Sequence, residues 1–230
     1  MKAFVLAGGL GTRLKPRFGD LPKGLAPLAG RPVLARQLEW LAGRRIVDVV
    51  LCTGVGAAQV AGVLGDGRTL GVRIEYSAEP EPLGTGGALR HAARFVDGPA
   101  LVVNGDTLLD CDPWTLERDR WERGMTGALA LFEVADAAGR GRVECRAEGR
   151  IARFVEKDPD HRGRAWVSGG LYAFSPALWN ALPPGASSLE RDVLPGLAAA
   201  GRLWGVRYPG EFWDIGTPED WARAEERSPS

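Results

Sequence analysis

Short apolar runs alternate with helix-spaced apolar positions through the first half of the chain. Ala3-Phe4-Val5-Leu6, Ile46-Val47-Asp48-Val49-Val50-Leu51, Val72-Arg73-Ile74-Glu75-Tyr76 and Ala100-Leu101-Val102-Val103 are brief runs that predict strands. Between them, residues 32–41 carry Leu34, Leu38 and Leu41 on one helical face, residues 57–64 carry Val60, Val63 and Leu64, and residues 84–95 are compatible with a helix. Such alternation with short connections predicts a parallel sheet with helices on both faces. After Asp106 the texture changes to paired strands, Gly127 to Val134, Arg142 to Cys145, Arg150 to Glu156 and Val167 to Phe174, which predicts an antiparallel extension. A final helix is marked by Thr217 at its cap, Pro218 in its first turn and Asp220 three residues after the cap. No repeat, low-complexity tract or linker interrupts the chain, so residues 1–230 are expected to form a single domain.

Charge narrows the partners. The 29 Lys and Arg balance the 29 Asp and Glu, which removes the basic field needed for nucleic-acid or anionic-membrane binding. Any polyanion must then be small and locally held. No apolar run approaches the ~18 residues of a membrane span, and Met1 to Leu6 enters a strand pattern without the apolar stretch of a signal peptide, so a cytoplasmic location is expected. The three cysteines, Cys52, Cys111 and Cys145, are widely spaced and outside any C-x-x-C, and read as reduced spectators. The two histidines, His91 and His161, have no nucleophile partners nearby in sequence, which argues against imidazole-based hydrolysis. Eight tryptophans suit either core positions or the interface of a homo-oligomer.

Glycine is the outlier, at 32 residues about twice the usual share. Leu6-Ala7-Gly8-Gly9-Leu10-Gly11-Thr12-Arg13-Leu14 leaves the first strand as a loop whose backbone N–H groups can face an anion. A dinucleotide fingerprint would need a third glycine where Leu14 stands and an acid after Leu51-Cys52-Thr53. A Walker loop has its spacing at Gly19 and Gly24, but Leu25-Ala26 replace the required Lys and Ser/Thr. Arg13 and Lys23 put two cations on the same long segment, and together with the loop they point to phosphate binding.

Asp106 ends the run Val102-Val103-Asn104-Gly105-Asp106, and ligands of open α/β sheets gather at such carboxyl ends of strands. Asp214 lies between aromatic residues in Phe212-Trp213-Asp214-Ile215-Gly216, just before the final helix. Two aspartates suit Mg²⁺, which commonly takes one or two carboxylates and fills its other positions with water and phosphate oxygens. Asp112, before Pro113, reads as a helix cap and Asp110 as a loop residue.

These pieces, in this order, resemble the sugar-1-phosphate nucleotidylyltransferases over essentially the whole chain. The matching stretches are Leu6 to Leu14, Leu21-Pro22-Lys23, Glu81-Pro82-Leu83-Gly84-Thr85-Gly86-Gly87, Asn104-Gly105-Asp106, Phe154-Val155-Glu156-Lys157, Gly169-Gly170-Leu171-Tyr172 and Phe212 to Asp220. Within that family, Pro82 to Gly87, Ser188-Leu189-Glu190 and Trp213 to Asp220 look most like the D-glycero-α-D-manno-heptose 1-phosphate guanylyltransferases, with mannose-1-phosphate enzymes next. The resemblance implies a Rossmann-like nucleotide-diphospho-sugar transferase fold: a mixed, mostly parallel sheet with helices on both faces and a small antiparallel extension. Because the chain stops soon after the final helix, it also implies no appended acyltransferase or β-helix domain. Gly24 stands where relatives usually have proline, which predicts a looser loop around Lys23, and Ser168 stands where asparagine is common before Gly169-Gly170.

The implied reaction is attack by a sugar-1-phosphate oxygen on the α-phosphorus of a nucleoside triphosphate, with Mg²⁺ as cofactor. By matching position, Arg13 would meet the β and γ phosphates, Lys23 the reacting phosphates and Lys157 the sugar phosphate, while Asp106 and Asp214 would hold the metal. The nucleotide would lie against Leu6, Ala7, Gly8, Gly9, Gly11, Thr12, Glu79, Pro82, Gly84 and Thr85. Glu156 would accept from sugar hydroxyls, with Gly105, Gly169 and Gly170 contributing backbone contacts. Glu79 occupies a place held by glutamine in thymidylyl relatives; an acceptor-only carboxylate suits the adjacent N1–H and N2–H₂ donors of guanine, so GTP is the expected nucleotide. Glu81 is an alternative reader, and Glu79 could instead cap its loop. Competing readings are a glycosyltransferase, which would release a nucleoside diphosphate, and a non-catalytic nucleotide-sugar-binding subunit.

Overall fold

The computed structural model describes residues 1–9, 11–137, 141–155, 160 and 162–227. The chain opens with β1 (Lys2–Leu6), a glycine loop, the one-turn α1 (Lys15–Phe18) and the small antiparallel pair β2 (Pro27–Leu28) and β3 (Arg31–Pro32). It then alternates α2 (Val33–Gly43), β4 (Asp48–Thr53), α3 (Ala57–Leu64), β5 (Arg73–Ala78), α4 (Gly84–His91) and β6 (Ala100–Asn104). After β7 (Thr107–Leu109) and α5 (Pro113–Glu122) come β8 (Gly127–Val134), β9 (Arg142–Cys145), β10 (Ile151–Val155) and β11 (Ala165–Phe174). The remainder is α6 (Ala177–Ala181), a π-helical turn (Leu189–Val193), α7 (Leu194–Ala199), β12 (Leu203–Tyr208), β13 (Phe212–Asp214) and α8 (Pro218–Arg227).

One nine-stranded sheet, in the order β10-β9-β11-β6-β1-β4-β5, organises the molecule, with β8 on β11 and β12 on β8. β5, β4, β1 and β6 are mutually parallel, as the strand–helix alternation predicts. The expected antiparallel strands continue that sheet: β11 runs antiparallel to β6 and β8, and its far end meets β9. β12 is an addition that the sequence pattern did not reveal, and it pairs parallel with β8. β4 and β5 run two residues past their apolar cores, to Thr53 and Ala78, which pair in register. That extension delivers Glu79 to the carboxyl edge of the sheet, where Glu79 N donates to Thr53 O at 2.8 Å.

Both faces of the sheet are covered. Ala3, Val5, Val49, Leu51, Leu101 and Val103 pack against Leu34, Leu38 and Leu41 of α2, Val60 and Leu64 of α3 and Leu116 of α5. The alternate residues Phe4, Val50, Cys52 and Val102 pack against Leu89 of α4, Leu178 of α6, Ala198 of α7 and the π-helical turn. Leu38 and Leu89 are fully buried, each worth ~1.5–3 kcal/mol relative to exposure. A smaller cluster seats α8 under the glycine loop, with Trp221 and Ile215 against Leu14, Leu28 and Val33. The capping box of α8 forms, with Asp220 N donating to Thr217 Oγ1 at 3.1 Å, and Asp112 caps α5 by accepting from Trp114 N and Thr115 N.

Burial pushes the thiols of Cys52 and Cys111 up to about 12, so both stay protonated spectators. Trp221 is buried, whereas Trp114 and Trp121 are 42% and 72% exposed. Among the described residues no helix is long and apolar enough to cross a membrane.

Candidate functional site

The carboxyl ends of β1, β4, β5 and β6 converge on the glycine loop. Ala7 N donates to Cys52 O at 2.8 Å and Gly105 N to Leu6 O at 3.0 Å, so the loop leaves β1 held from both sides. A Cβ on Gly8 would lie 2.7 Å from Glu79 Oε1. Only glycine admits the carboxylate that close to the loop. Glu79 Oε2 accepts from Leu83 N at 2.9 Å, and burial raises the Glu79 pKa against the lowering effect of that bond. Glu79 therefore both caps its loop and lines the recess beside it; Glu81 is exposed.

That recess, about 280 Å³, is lined by Leu6, Gly8, Gly9, Glu79, Pro82, Gly84, Thr85, Ala88, Asn104 and Asp106. Seven of these are residues expected to meet a nucleotide. Ala7, Gly11 and Thr12 are not on its wall; they shape the loop as it turns away. Gly84 begins α4 at φ +69, and a Cβ there would meet Ser187 O at 2.6 Å. Gly86 N and Gly87 N both donate to the same carbonyl, at 2.9 and 3.3 Å, which ties the start of α4 to the segment before the π-helical turn.

Asp106 and Asp214 are joined through backbone pairing. β13 runs antiparallel to β7 with Asp214 opposite Thr107, and Ile215 N donates to Asp106 O at 3.0 Å. Lys23 Nζ donates to Asp106 Oδ2 at 2.6 Å. A Cβ on Gly216 would lie 2.9 Å from Asp214 Oδ1 and 3.5 Å from both Arg13 Nη2 and Lys23 Nζ, so two cations and a carboxylate surround one glycine. Burial, then the like charge of Asp106, raises the Asp214 pKa, opposed by Lys23 and by the bond from Gly216 N. Arg13, Lys23, Asp106 and Asp214 thus share one patch. Among the described residues, no group of three or more His, Cys, Asp or Glu forms a metal cage, so a cation there would have only these two carboxylates as side-chain ligands from that set.

The loop around Lys23 is not loose. Gly24 is buried, and the Leu34 side chain fills the place where its Cβ would be, so α2 packs directly beneath the lysine. The missing side chain makes room for a close contact.

A larger recess of about 540 Å³ shares Asn104 with the first and is lined by Arg142, Phe154, Val155, Ser168, Tyr172, Ser188, Glu190 and Arg191, among others. Ser168 Oγ accepts from Gly170 N at 3.3 Å. Gly105, Gly169 and Gly170 are all buried, Gly105 against Leu6 and Ala7 at the start of the glycine loop, Gly169 against Phe132 and Gly170 against Asn104. Glu156 and Lys157 lie outside the described residues. Asn104, Tyr172, Glu190 and Arg191 were not expected as site residues. For Glu190 the available signal was the Ser188-Leu189-Glu190 stretch, which carried a likeness but no chemistry.

The chain belongs to the nucleotidyl transferase family, whose pattern matches residues 2–229. It is 36% identical to mannose-1-phosphate guanylyltransferase of Mycobacterium tuberculosis and 34% identical to mannose-1-phosphate guanyltransferase beta-B of Xenopus laevis, each over 225 residues. Both alignments cover 96% of this chain, which spans 62% of each relative's length. Among solved structures, HddC from Yersinia pseudotuberculosis superposes with a TM-score of 0.88 at 30% identity, and its complex with GMP-PN with 0.85 at 28%; each comparison covers 98% of both chains.

Proposed function

We propose that this chain is a sugar-1-phosphate nucleotidylyltransferase that couples GTP to a manno-configured sugar 1-phosphate, with D-glycero-α-D-manno-heptose 1-phosphate favoured and mannose 1-phosphate the alternative. The carrying observation is the convergence of Arg13, Lys23, Asp106 and Asp214, with Asp106 on the wall of a recess that shares Asn104 with a second, larger one. One recess suits a nucleotide and the other a sugar.

The second pKa of a phosphate monoester is near ~6, so the attacking oxygen is ionised at neutral pH and no general base is required. His91 fits that absence of demand, since its Nε2 is engaged with Ala78 O at 3.1 Å. The nucleophilic oxygen bonds to the α-phosphorus as the bond to pyrophosphate breaks. Positioning and neutralisation of charge are then the protein's tasks. Loop N–H groups around Gly8 and Gly9 face the phosphates, Arg13 offsets charge on the departing pyrophosphate, and Lys23, aimed by Asp106, contacts the reacting phosphates. Lys157 and Glu156 take the acceptor's phosphate and hydroxyls by resemblance.

Asp106 and Asp214 fit Mg²⁺: both offer hard oxygens, and a cation between them would relieve the repulsion that raises the Asp214 pKa. When bound, the ion supplies further neutralisation of phosphate charge. Glu79 supports guanine, because its acceptor-only carboxylate lines the nucleotide recess, and relatives named as guanylyltransferases agree.

The test is a matrix of nucleoside triphosphates against sugar 1-phosphates with pyrophosphate release as readout. GTP with a manno-configured acceptor should be fastest. Release of free nucleoside diphosphate would support a glycosyltransferase; nucleotide binding with no pyrophosphate from any pair would support a non-catalytic subunit.

A further inference from the structure

Glu190 stands between the two recesses. Its Oε2 accepts from Thr85 Oγ1 at 2.8 Å and from Ser188 Oγ at 3.1 Å. Thr85 Oγ1 in turn accepts from Leu189 N at 2.7 Å, so this hydroxyl is fixed on both sides. Thr85 lines the smaller recess, whereas Glu190, Ser188 and Tyr172 line the larger. One carboxylate oxygen is therefore fastened to the nucleotide side. At Oε1 the arrangement differs: among the described residues the only donor is the Tyr172 hydroxyl, at 3.4 Å. A carboxylate oxygen has about two acceptor sites, so Oε1 retains capacity toward the larger recess.

We propose that Glu190 Oε1 accepts a hydrogen bond from a hydroxyl of the sugar 1-phosphate, and that Thr85 and Ser188 hold the carboxylate in the orientation that makes this contact. Glu190 is then a specificity-determining residue, separate from the hydroxyl acceptor expected at Glu156. The proposal rests on reading the larger recess as the sugar site. Its ligand class is a sugar phosphate with a free ring hydroxyl facing the π-helical turn. Anchoring at Oε2 gives the contact its selectivity, because the carboxylate cannot swing to follow a sugar that presents no donor.

Glu190→Gln separates this role from a structural one. Thr85 and Ser188 both donate to the Oε2 position, so the amide oxygen settles there and the NH₂ occupies the Oε1 position. The acceptor facing the sugar becomes a donor while volume stays nearly constant. The experiment combines steady-state kinetics with calorimetric binding for wild type, Glu190→Gln and Thr85→Val, using the best sugar 1-phosphate and its series of monodeoxy analogues. Wild type should discriminate against one monodeoxy analogue by about tenfold or more in kcat/KM. Glu190→Gln should raise the KM for the parent by a similar factor, leave the GTP KM within about twofold, and lose discrimination against that one analogue. Thr85→Val should weaken the same discrimination partially.

Unchanged discrimination across the whole deoxy series in Glu190→Gln overturns the proposal while leaving the enzymatic reading intact, as does a uniform loss for parent and every analogue alike. A wild-type protein that neither binds nor converts any sugar 1-phosphate overturns the enzymatic reading and this proposal with it.

Discussion

Replacing Asp214 with asparagine should make the metal-free protein more stable while removing most of its activity. Burial and the neighbouring Asp106 raise the Asp214 pKa, so its ionised form is disfavoured in the folded chain. A carboxyl group with a folded pKa above its unfolded value of ~3.9 favours folding below that value, and the contribution is lost as pH rises through the folded pKa. At neutral pH the wild-type protein therefore bears the cost of an ionised carboxylate, and asparagine does not. Each tenfold by which the fold favours the protonated form corresponds to about 1.4 kcal/mol. At about 2–4 °C per kcal/mol for a chain of this size, each such tenfold is worth ~3–6 °C in Tm. Asparagine keeps an oxygen able to accept from Gly216 N, a bond of 2.9 Å in wild type, so the comparison isolates charge. Thermal melts at pH 7 without divalent cations should place the variant above wild type, with the gap closing as pH falls toward 4. Added Mg²⁺ at about ten times its dissociation constant should raise wild type by RT ln 11, about 1.4 kcal/mol, and the variant by less. A variant that melts below wild type at pH 7, or gains as much from Mg²⁺, would refute the coupled-carboxylate reasoning.

Lys23→Ala should lower kcat by about 10²-fold or more in a pyrophosphate-release assay, since its ammonium contacts the reacting phosphates; a defect confined to KM would place it on bound nucleotide alone. Glu79→Gln should reduce the GTP-over-UTP ratio of kcat/KM by about tenfold, because the amide presents a donor to guanine's donors, and an unchanged ratio would remove Glu79 as the base reader. Gly84→Ala forces a side chain into a left-handed residue at φ +69 with its Cβ 2.6 Å from Ser187 O. That should cost ~2–5 kcal/mol and lower Tm by ~4–20 °C; a melt within about 2 °C of wild type would show that the α4 start tolerates the shift.

The alternation of strands and helices was legible because each parallel strand is buried on both faces and each covering helix shows an apolar stripe. The caps at Asp112 and Thr217 were legible because the residues involved lie within three positions of each other. β12 was not: Gly205 breaks its apolar run, and its partner β8 lies far away in sequence. Gly24 misled for a related reason, since a glycine that admits a leucine from another helix looks in sequence like one that loosens a turn. For the site, the residues on loops leaving parallel strands could be found from motifs. Glu190 could not, because its meaning lies in hydrogen bonds to Thr85 and Tyr172, on two other elements.

The central claim is nucleotidyl transfer at the α-phosphorus, and labelled GTP tests it most directly. With GTP carrying ³²P at the α position, Mg²⁺ and a manno-configured sugar 1-phosphate, the label should appear in a nucleoside-diphosphate sugar, and with ³²P at the γ position it should leave in pyrophosphate. Label from the γ position recovered as inorganic phosphate in the absence of any pyrophosphatase, or α label recovered only in free GDP, would contradict the account.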